Sequence, residues 1–225
     1  NDDRRFDRVR ARAALPLLAP LGMGPERLAA TAEAMGRARV ALETATALLA
    51  ADALLEGGAG DLSLDPAPLA KAPQEIALRL LAGALTWVAG ARYRPRLAPL
   101  EDLLAAGLAG RVRHGRTLHG CVLRMGAGRG AIPREPAHAA PPVPLAWGRW
   151  DGRWEVSAAS PSDARIEALG AEGLAVVDDW RETGLSREAL LTTPAIRQAG
   201  RLLAAPVIRP VPGFEVRRIA AVPPP

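Results

Sequence analysis

The sequence predicts an α+β chain: a mainly helical N-terminal part followed by a smaller mixed α+β part. Three observations carry that expectation. Hydrophobic residues make up 49% of the chain but aromatic residues only 4%, so its cores are built mainly from Leu, Ala and Val, and alanine-rich segments favour helix. Apolar residues recur at helical spacing as far as about residue 110. Past Gly110, β-type residues and turn glycines replace that texture. With 225 residues the chain can bury one large core or two modest ones.

The elements follow in order. NDDRRFDRVRAR opens the chain without methionine or an apolar targeting segment, with five arginines among three aspartates; a downstream piece of a longer protein is expected. From Gly24 a helix start is written: Pro25 fits the first turn, Glu26 suits the positive helix end, and Leu28, Ala32, Met35, Leu42, Ala45 and Leu49 form the stripe expected to be buried. Gly57 and Gly58 are expected to end it. After the loop GAGDLSLDPAPLAKA, a second helix starts at Pro73 with Ile76, Leu80, Ala84, Leu85 and Val88 inward, and Gly90 stops it. A third runs from about Pro99 to Ala109, and such helices with short connections are expected to pack as an antiparallel bundle.

In the second part RTLHGCVLRM, GAGRG and AIPRE read as a strand, a turn and a returning strand. LAWGRWDGRWEVS reads as a hairpin turning at Asp151-Gly152. EGLAVVDDW and SREALL read as helical, AGRLLAAPVI as a strand after Gly200, and REPAHAAPPVP and the closing PPP as extended loop. No internal repeat is present.

Several features suggest chemistry and yield to simpler accounts. GAGRG at 126–130 lacks the Lys-Ser/Thr of a nucleotide loop, and Pro133 leaves no room for a following helix, so a hairpin turn is the better reading. His114, His119 and His138 lack helical ligand spacing, and no metal site is expected. The single cysteine, Cys121, excludes a disulfide framework, fits a reducing cytoplasm and reads as a small buried strand residue rather than a nucleophile. Asp178 and Asp179, adjacent on a helix, would point ~100° apart and read as capping or solvated rather than as an acid and base pair. Trp147, Trp150 and Trp154, with Arg149 and Arg153, could stack bases, but packing is the favoured reading. No run approaches the ~18 to 20 apolar residues that span a bilayer.

The charge is informative. The formal net charge is +5, and Lys71 is the sole lysine among 29 basic residues. Arginine's planar fork suits phosphate contact and base stacking, although a GC-rich genome also favours arginine codons, so position decides. Three clusters stand out: Arg4 to Arg12, the RYRPR of Arg92, Tyr93, Arg94 and Arg96, and the RVRHGR of Arg111, Arg113 and Arg116. The last two lie on the connections at either end of the third helix, and together with Tyr93 they suggest RNA contact.

Asn1, Asp3, Phe6 and Arg8, continued by Arg12 and the Leu15-Pro16-Leu17-Leu18 run, resemble the end of the catalytic domain of tRNA(Ile)-lysidine synthetases. The family often has R-N-x-x-R here, and Val9 replaces the asparagine. GPERLAATAEAM, RYRPRLAPLEDLL, RTLHGCVLR, PREP, WDGRWEV and GRLLAAPVI are similar, in order, to segments of that family's C-terminal region in alphaproteobacteria-like members, so the resemblance covers essentially the whole chain.

The resemblance implies an ATP-dependent ligase for the wobble cytidine of the isoleucine tRNA with anticodon CAU. ATP adenylates C2 of the base, magnesium offsets phosphate charge, and the amine of free lysine displaces AMP. The family's ATP motif, S-G-G-x-D-S, is absent from the sequence, so this chain alone is expected to bind neither ATP nor Mg and to be inactive, the α/β ATP-pyrophosphatase domain being mostly missing. By resemblance, residues 1–20 close that domain, with Arg8 and Arg12 as the catalytic candidates near the ATP phosphates or target nucleotide. Residues 21–112 form a helical tRNA-recognition domain and 113–225 an α+β tRNA-binding domain, for which Arg92, Tyr93, Arg94, Arg96, Arg111, Arg113 and Arg116 are the RNA-binding candidates. A cytoplasmic location without a membrane partner is expected, and a homodimer is left open. The alternatives are a non-catalytic RNA-binding module of another RNA-processing protein and a structural interaction domain whose arginines only solvate its surface.

Overall fold

A computed structural model describes residues 5–126, 128–159 and 163–219. Asn1, Asp3, Arg4 and the closing PPP lie outside these residues. The chain divides into two compact units, Asn1–Ala45 and Thr46–Pro225.

In the first unit, helix α1 (Asp7–Leu18) starts after an extended Phe6, with Asp7 in its first turn and paired to Arg10. A single 3-10 turn, Ala19–Leu21, ends at left-handed Gly22, and α2 (Pro25–Ala53) begins with Pro25 and Glu26 in the expected places. The expected stripe is present in the sequence but not buried: Leu28 is 38% exposed and Met35 66%, and the buried residues of α2 are Thr46 and Ala53. No other element of this unit packs on that face, so alanine-rich propensity rather than burial accounts for its helicity.

In the second unit α2 stops at Ala53 rather than at Gly57-Gly58. It runs directly into β1 (Leu54–Glu56), which pairs antiparallel with β2 (Leu62–Leu64). The stretch expected as loop therefore holds a strand, and it also holds a short helix, α3 (Pro66–Lys71), capped by the Asp65 side chain accepting from Ala67 N at 2.9 Å. Helix α4 (Gln74–Ala89) buries Ile76, Leu80, Ala84, Leu85 and Val88 as expected, and left-handed Gly90 closes it. Helix α5 (Leu97–Leu108) packs on α4.

The expected bundle is not formed, because these two helices close over small sheets instead. β3 (Arg116–Leu118) and β4 (Cys121–Leu123) are a hairpin turning at His119-Gly120, so RTLHGCVLRM is two strands rather than one; both turn residues have positive φ, 56° and 71°. β5 (Gly130–Ile132) returns to pair with β2, and the 126–130 stretch is the hairpin connection expected of it. Leu62, Leu64, Leu85, Leu103, Leu123 and Ile132 meet in one core, which takes residues from both sides of position 112.

The remaining elements form two sheets. In chain order they are β6 (Val143–Pro144), β7 (Arg149–Trp150), β8 (Trp154–Ala158), β9 (Arg165–Ala168), α6 (Gly170–Ala175), α7 (Arg187–Leu190), β10 (Pro194–Gln198), β11 (Arg201–Ala204) and β12 (Phe214–Arg218). One sheet has the order β11-β10-β9-β6 and the other β12-β8-β7, all pairs antiparallel. Trp150, Trp154, Val156, Ile166 and Ile196 fill the core they share. Ala195, one residue along β10, belongs instead to the core with Leu169, Leu174 and Leu190 beneath α6 and α7, as strand alternation requires. The hairpin at Asp151-Gly152 is as expected, with φ of 54° and 64°. The helix expected in EGLAVVDDW ends at Ala175, and Asp179 is left-handed, so Asp178 and Asp179 do not share a helix. β9, β10 and β12 were not foreseen.

Candidate nucleic-acid interface

Beneath the surface of the second unit lies a buried ionic cluster built from the Asp151 turn. Asp151 Oδ1 accepts hydrogen bonds from Arg134 Nη2 and Ala140 N, each at 3.0 Å, and Oδ2 accepts from Arg153 Nε at 2.8 Å. Arg153 Nη2 donates to Thr192 O at 2.8 Å, and Arg134 donates to the carbonyls of Gly120 and His138. Arg218 stacks over Trp87 at 3.7 Å and donates to Gly60 O at 2.8 Å. Burial depresses both guanidiniums: Arg153 is lowered chiefly by desolvation, and Arg218 falls to about 10 for the same reason. Desolvation also raises the Asp61 carboxyl above its ordinary value. These contacts fix the turn ends of α4 and β2 against the two sheets, so the surface elements have a rigid support.

On the surface, the arginines selected from the sequence are all exposed. Arg92, Tyr93 and Arg94 sit on the connection after Gly90, Arg96 is the N-cap residue of α5, and Tyr93 is 74% exposed. Arg96 makes no side-chain cap, so the first backbone N–H groups of α5 and the positive end of its dipole add to the guanidinium charge. Arg111, Arg113 and Arg116 follow the other end of α5, anchored by Val112 in the core. Arg116 Nη1 donates to Asp102 O at 3.3 Å. The two clusters are held ~18 Å apart by the twelve-residue helix between them, which makes a charged strip rather than a single pocket. None of Arg92, Arg94, Arg96, Arg111 or Arg113 has an acidic partner among the described residues.

In the first unit, Arg8 and Arg12 lie four residues apart in α1 and so share one helix face. Both are exposed, and the Arg8 guanidinium lies 5.2 Å from the Phe6 ring centroid.

The other candidates separate cleanly. Cys121 is fully buried, its thiol donates to Leu85 O at 3.4 Å, and burial pushes it up to about 12, which removes the thiolate a nucleophile needs. His138 pairs with Glu135 at 3.0 Å. No group of three or more His, Cys, Asp or Glu side chains is gathered for a metal among the described residues. Trp150 and Trp154 are core residues, each 2% exposed, and Arg153 is buried with them, so the hairpin offers bases only Trp147, which is 68% exposed. Sequence reasoning missed the ionic cluster and the arginines of the 124–130 hairpin; the Asp-Gly turn next to Arg153 was the one local signal for the former. No helix among the described residues is long and apolar enough to cross a membrane.

Comparison with known proteins places this surface in context. No family model matches the chain. It is 39% identical over 210 residues to a tRNA(Ile)-lysidine synthase of Ruegeria pomeroyi, a match that takes in 92% of this chain and 48% of the relative. It is 41% identical over 149 residues to that of Methylobacterium nodulans, covering 62% of this chain and 43% of the relative. A third, from another Methylobacterium strain, is 38% identical over 138 residues, covering 59% and 40%. The chain thus spans about half the length of the curated relatives it matches. The matching half is the C-terminal one, and in sequence this chain belongs with the C-terminal part of the tRNA(Ile)-lysidine synthases.

Proposed function

We propose that the chain supplies tRNA recognition to a lysidine-forming ligase, the whole protein joining free lysine to the wobble cytidine of the CAU-anticodon isoleucine tRNA. The observation that carries the reading is the exposed strip of arginines around α5, with Tyr93 between two of them, in a chain matched over 92% of its length by such a synthase. Guanidiniums on rigid element ends contact phosphates without reorganising, and an exposed aromatic ring between them offers a face for an unpaired base. RNA is gripped mostly by shape and backbone, so a strip suits it better than a deep pocket.

In this reading residues 1–20 close the catalytic domain, 21–112 read the anticodon arm and 113–225 the acceptor arm. Arg8 and Arg12, on one face of α1, would approach the ATP phosphates or the target nucleotide. Two exposed guanidiniums do not by themselves make a site for ATP, and the described residues gather no acidic set for Mg. The chemistry therefore belongs to residues outside this chain, which alone is inactive.

Filter binding with the CAU-anticodon transcript and an unrelated tRNA tests the reading. Preferential retention of the former, reduced at least several-fold in Arg92→Gln/Arg94→Gln/Arg96→Gln, is expected. Equal, weak retention of both RNAs that the variant leaves unchanged would point to a surface that only solvates itself.

A further inference from the structure

The 126–130 hairpin that does not fit a nucleotide loop has another property, visible only in three dimensions. Three arginines from three separate stretches border one open cleft of about 380 Å³ beside it: Arg113 from the connection after α5, Arg124 just past β4, and Arg129 from the turn itself. Met125, buried in the core, lies at its base, and no acidic residue lines it. We propose that this cleft is a binding site for a backbone phosphate of RNA, an inference that rests on the tRNA-binding reading and places a new contact within it.

The local backbone explains why the charges converge. Arg124 and Ala131 exchange backbone hydrogen bonds at 2.9 Å in both directions, so the strand carrying Arg124 and the one following Arg129 run side by side. A Cβ at Gly130 would lie 2.5 Å from Arg124 O, so only glycine permits that approach. Gly126 likewise lets the Arg113 side chain pass, a Cβ there lying 3.9 Å from Arg113 Cγ. Arg129 Nη1 reaches Ser63 Oγ at 3.4 Å, and neither Arg113 nor Arg129 has an acidic partner among the described residues. Arg124 Nη1 lies 3.6 Å from Glu188 Oε1, a long contact between half-exposed groups, which leaves most of its donors free.

Three like charges held around one opening repel each other unless an anion joins them, and an oxyanion accepts several guanidinium forks at once. Arg113 is also a member of the 111–116 cluster, so the cleft extends the charged strip in register rather than standing apart from it. Arg124 and Arg129 were not among the candidates chosen from sequence, because only the fold brings them to Arg113.

The test uses the full 225-residue chain and a tRNA(Ile) transcript, with affinity measured by filter binding from about 50 to 200 mM salt. The wild type is expected to lose affinity steeply. Arg124→Gln/Arg129→Gln is expected to flatten that dependence by about 0.9 in log–log slope for each lost phosphate contact, so for two contacts the loss across this salt range shrinks by about tenfold. Arg124→Lys/Arg129→Lys should recover most of the slope, and Glu188→Gln, which touches none of the three arginines, should raise affinity. Salt-dependent binding by the wild type with an unchanged slope in the Gln double variant overturns this site and leaves the tRNA reading intact. No salt-dependent binding by the wild type overturns both. Side-chain N–H resonances of Arg124 and Arg129 that shift with inorganic phosphate but not with tRNA would mark a free-anion site and also overturn the proposal.

Discussion

Replacing Asp151 by asparagine removes the one anion that the buried ionic cluster shares. Its carboxylate accepts from Arg134, Ala140 N and Arg153 at 3.0, 3.0 and 2.8 Å, and the side chains of Arg134, Arg153 and Asp151 are only 10%, 1% and 2% exposed. Asparagine has nearly the same shape and tolerates the left-handed backbone at this position, so the change isolates the charge. Two guanidiniums then stay buried without a counterion, and one faces an amide NH₂. Breaking a buried pair from one side costs about 3–5 kcal/mol. Because the asparagine oxygen still accepts, the lower end applies, about 3 kcal/mol, or a drop in Tm of about 9 °C for a chain of this size. Thermal and urea melts followed by circular dichroism measure it. Asp151→Asn/Arg153→Met, which also removes one stranded cation, should be more stable than Asp151→Asn alone. A loss below about 1 kcal/mol, or a double variant less stable than the single one, would refute the idea that the cluster is held by this shared anion.

Three further outcomes follow from the same region. Gly90→Ala places a Cβ 2.6 Å from Arg153 Cγ and 2.7 Å from Asp151 O at a φ of +61°, so urea melts should show a loss of at least about 2 kcal/mol. Asp61, raised above its ordinary 3.8 by burial, binds its proton more tightly in the native than in the unfolded state. Stability therefore falls as pH rises through the unfolded value toward the folded one, and Asp61→Asn should melt higher than the wild type at neutral pH with the gap closing below about pH 4. Cys121 should react with a thiol reagent only as fast as the protein unfolds, and rapid labelling of the native chain at neutral pH would contradict its burial.

What was legible in the sequence is what is encoded locally. Helix α4 was read correctly with its inward residues and its glycine stop, because every apolar position of its stripe meets a neighbour from the same core. The Asp151-Gly152 turn was legible because positive φ at both positions restricts the residue types that fit. β1 and β2 were not, since three-residue strands in a glycine- and proline-rich stretch exist only by pairing, and Leu62 finds its partner Ile132 seventy residues later. Arg153 was read as a surface residue that could stack bases because nothing nearby announces Thr192 O, the distant acceptor that helps bury it. The stripe of α2 shows the opposite error: the spacing is helical, but spacing does not say that anything packs on it. The arginine clusters were legible as positions and their exposure is as expected, whereas the cleft joining Arg113 to Arg124 and Arg129 depends on strand pairing that no local pattern encodes.

The most direct measurement is the salt dependence of tRNA binding by the chain, compared with Arg92→Gln/Arg94→Gln/Arg96→Gln and Arg111→Gln/Arg113→Gln/Arg116→Gln. Log affinity should fall linearly with log salt, and each triple variant should reduce the slope by about 0.7–0.9 for every phosphate contact it removes. A wild-type slope near zero, or one that neither variant changes, would contradict the account that this strip of arginines holds RNA.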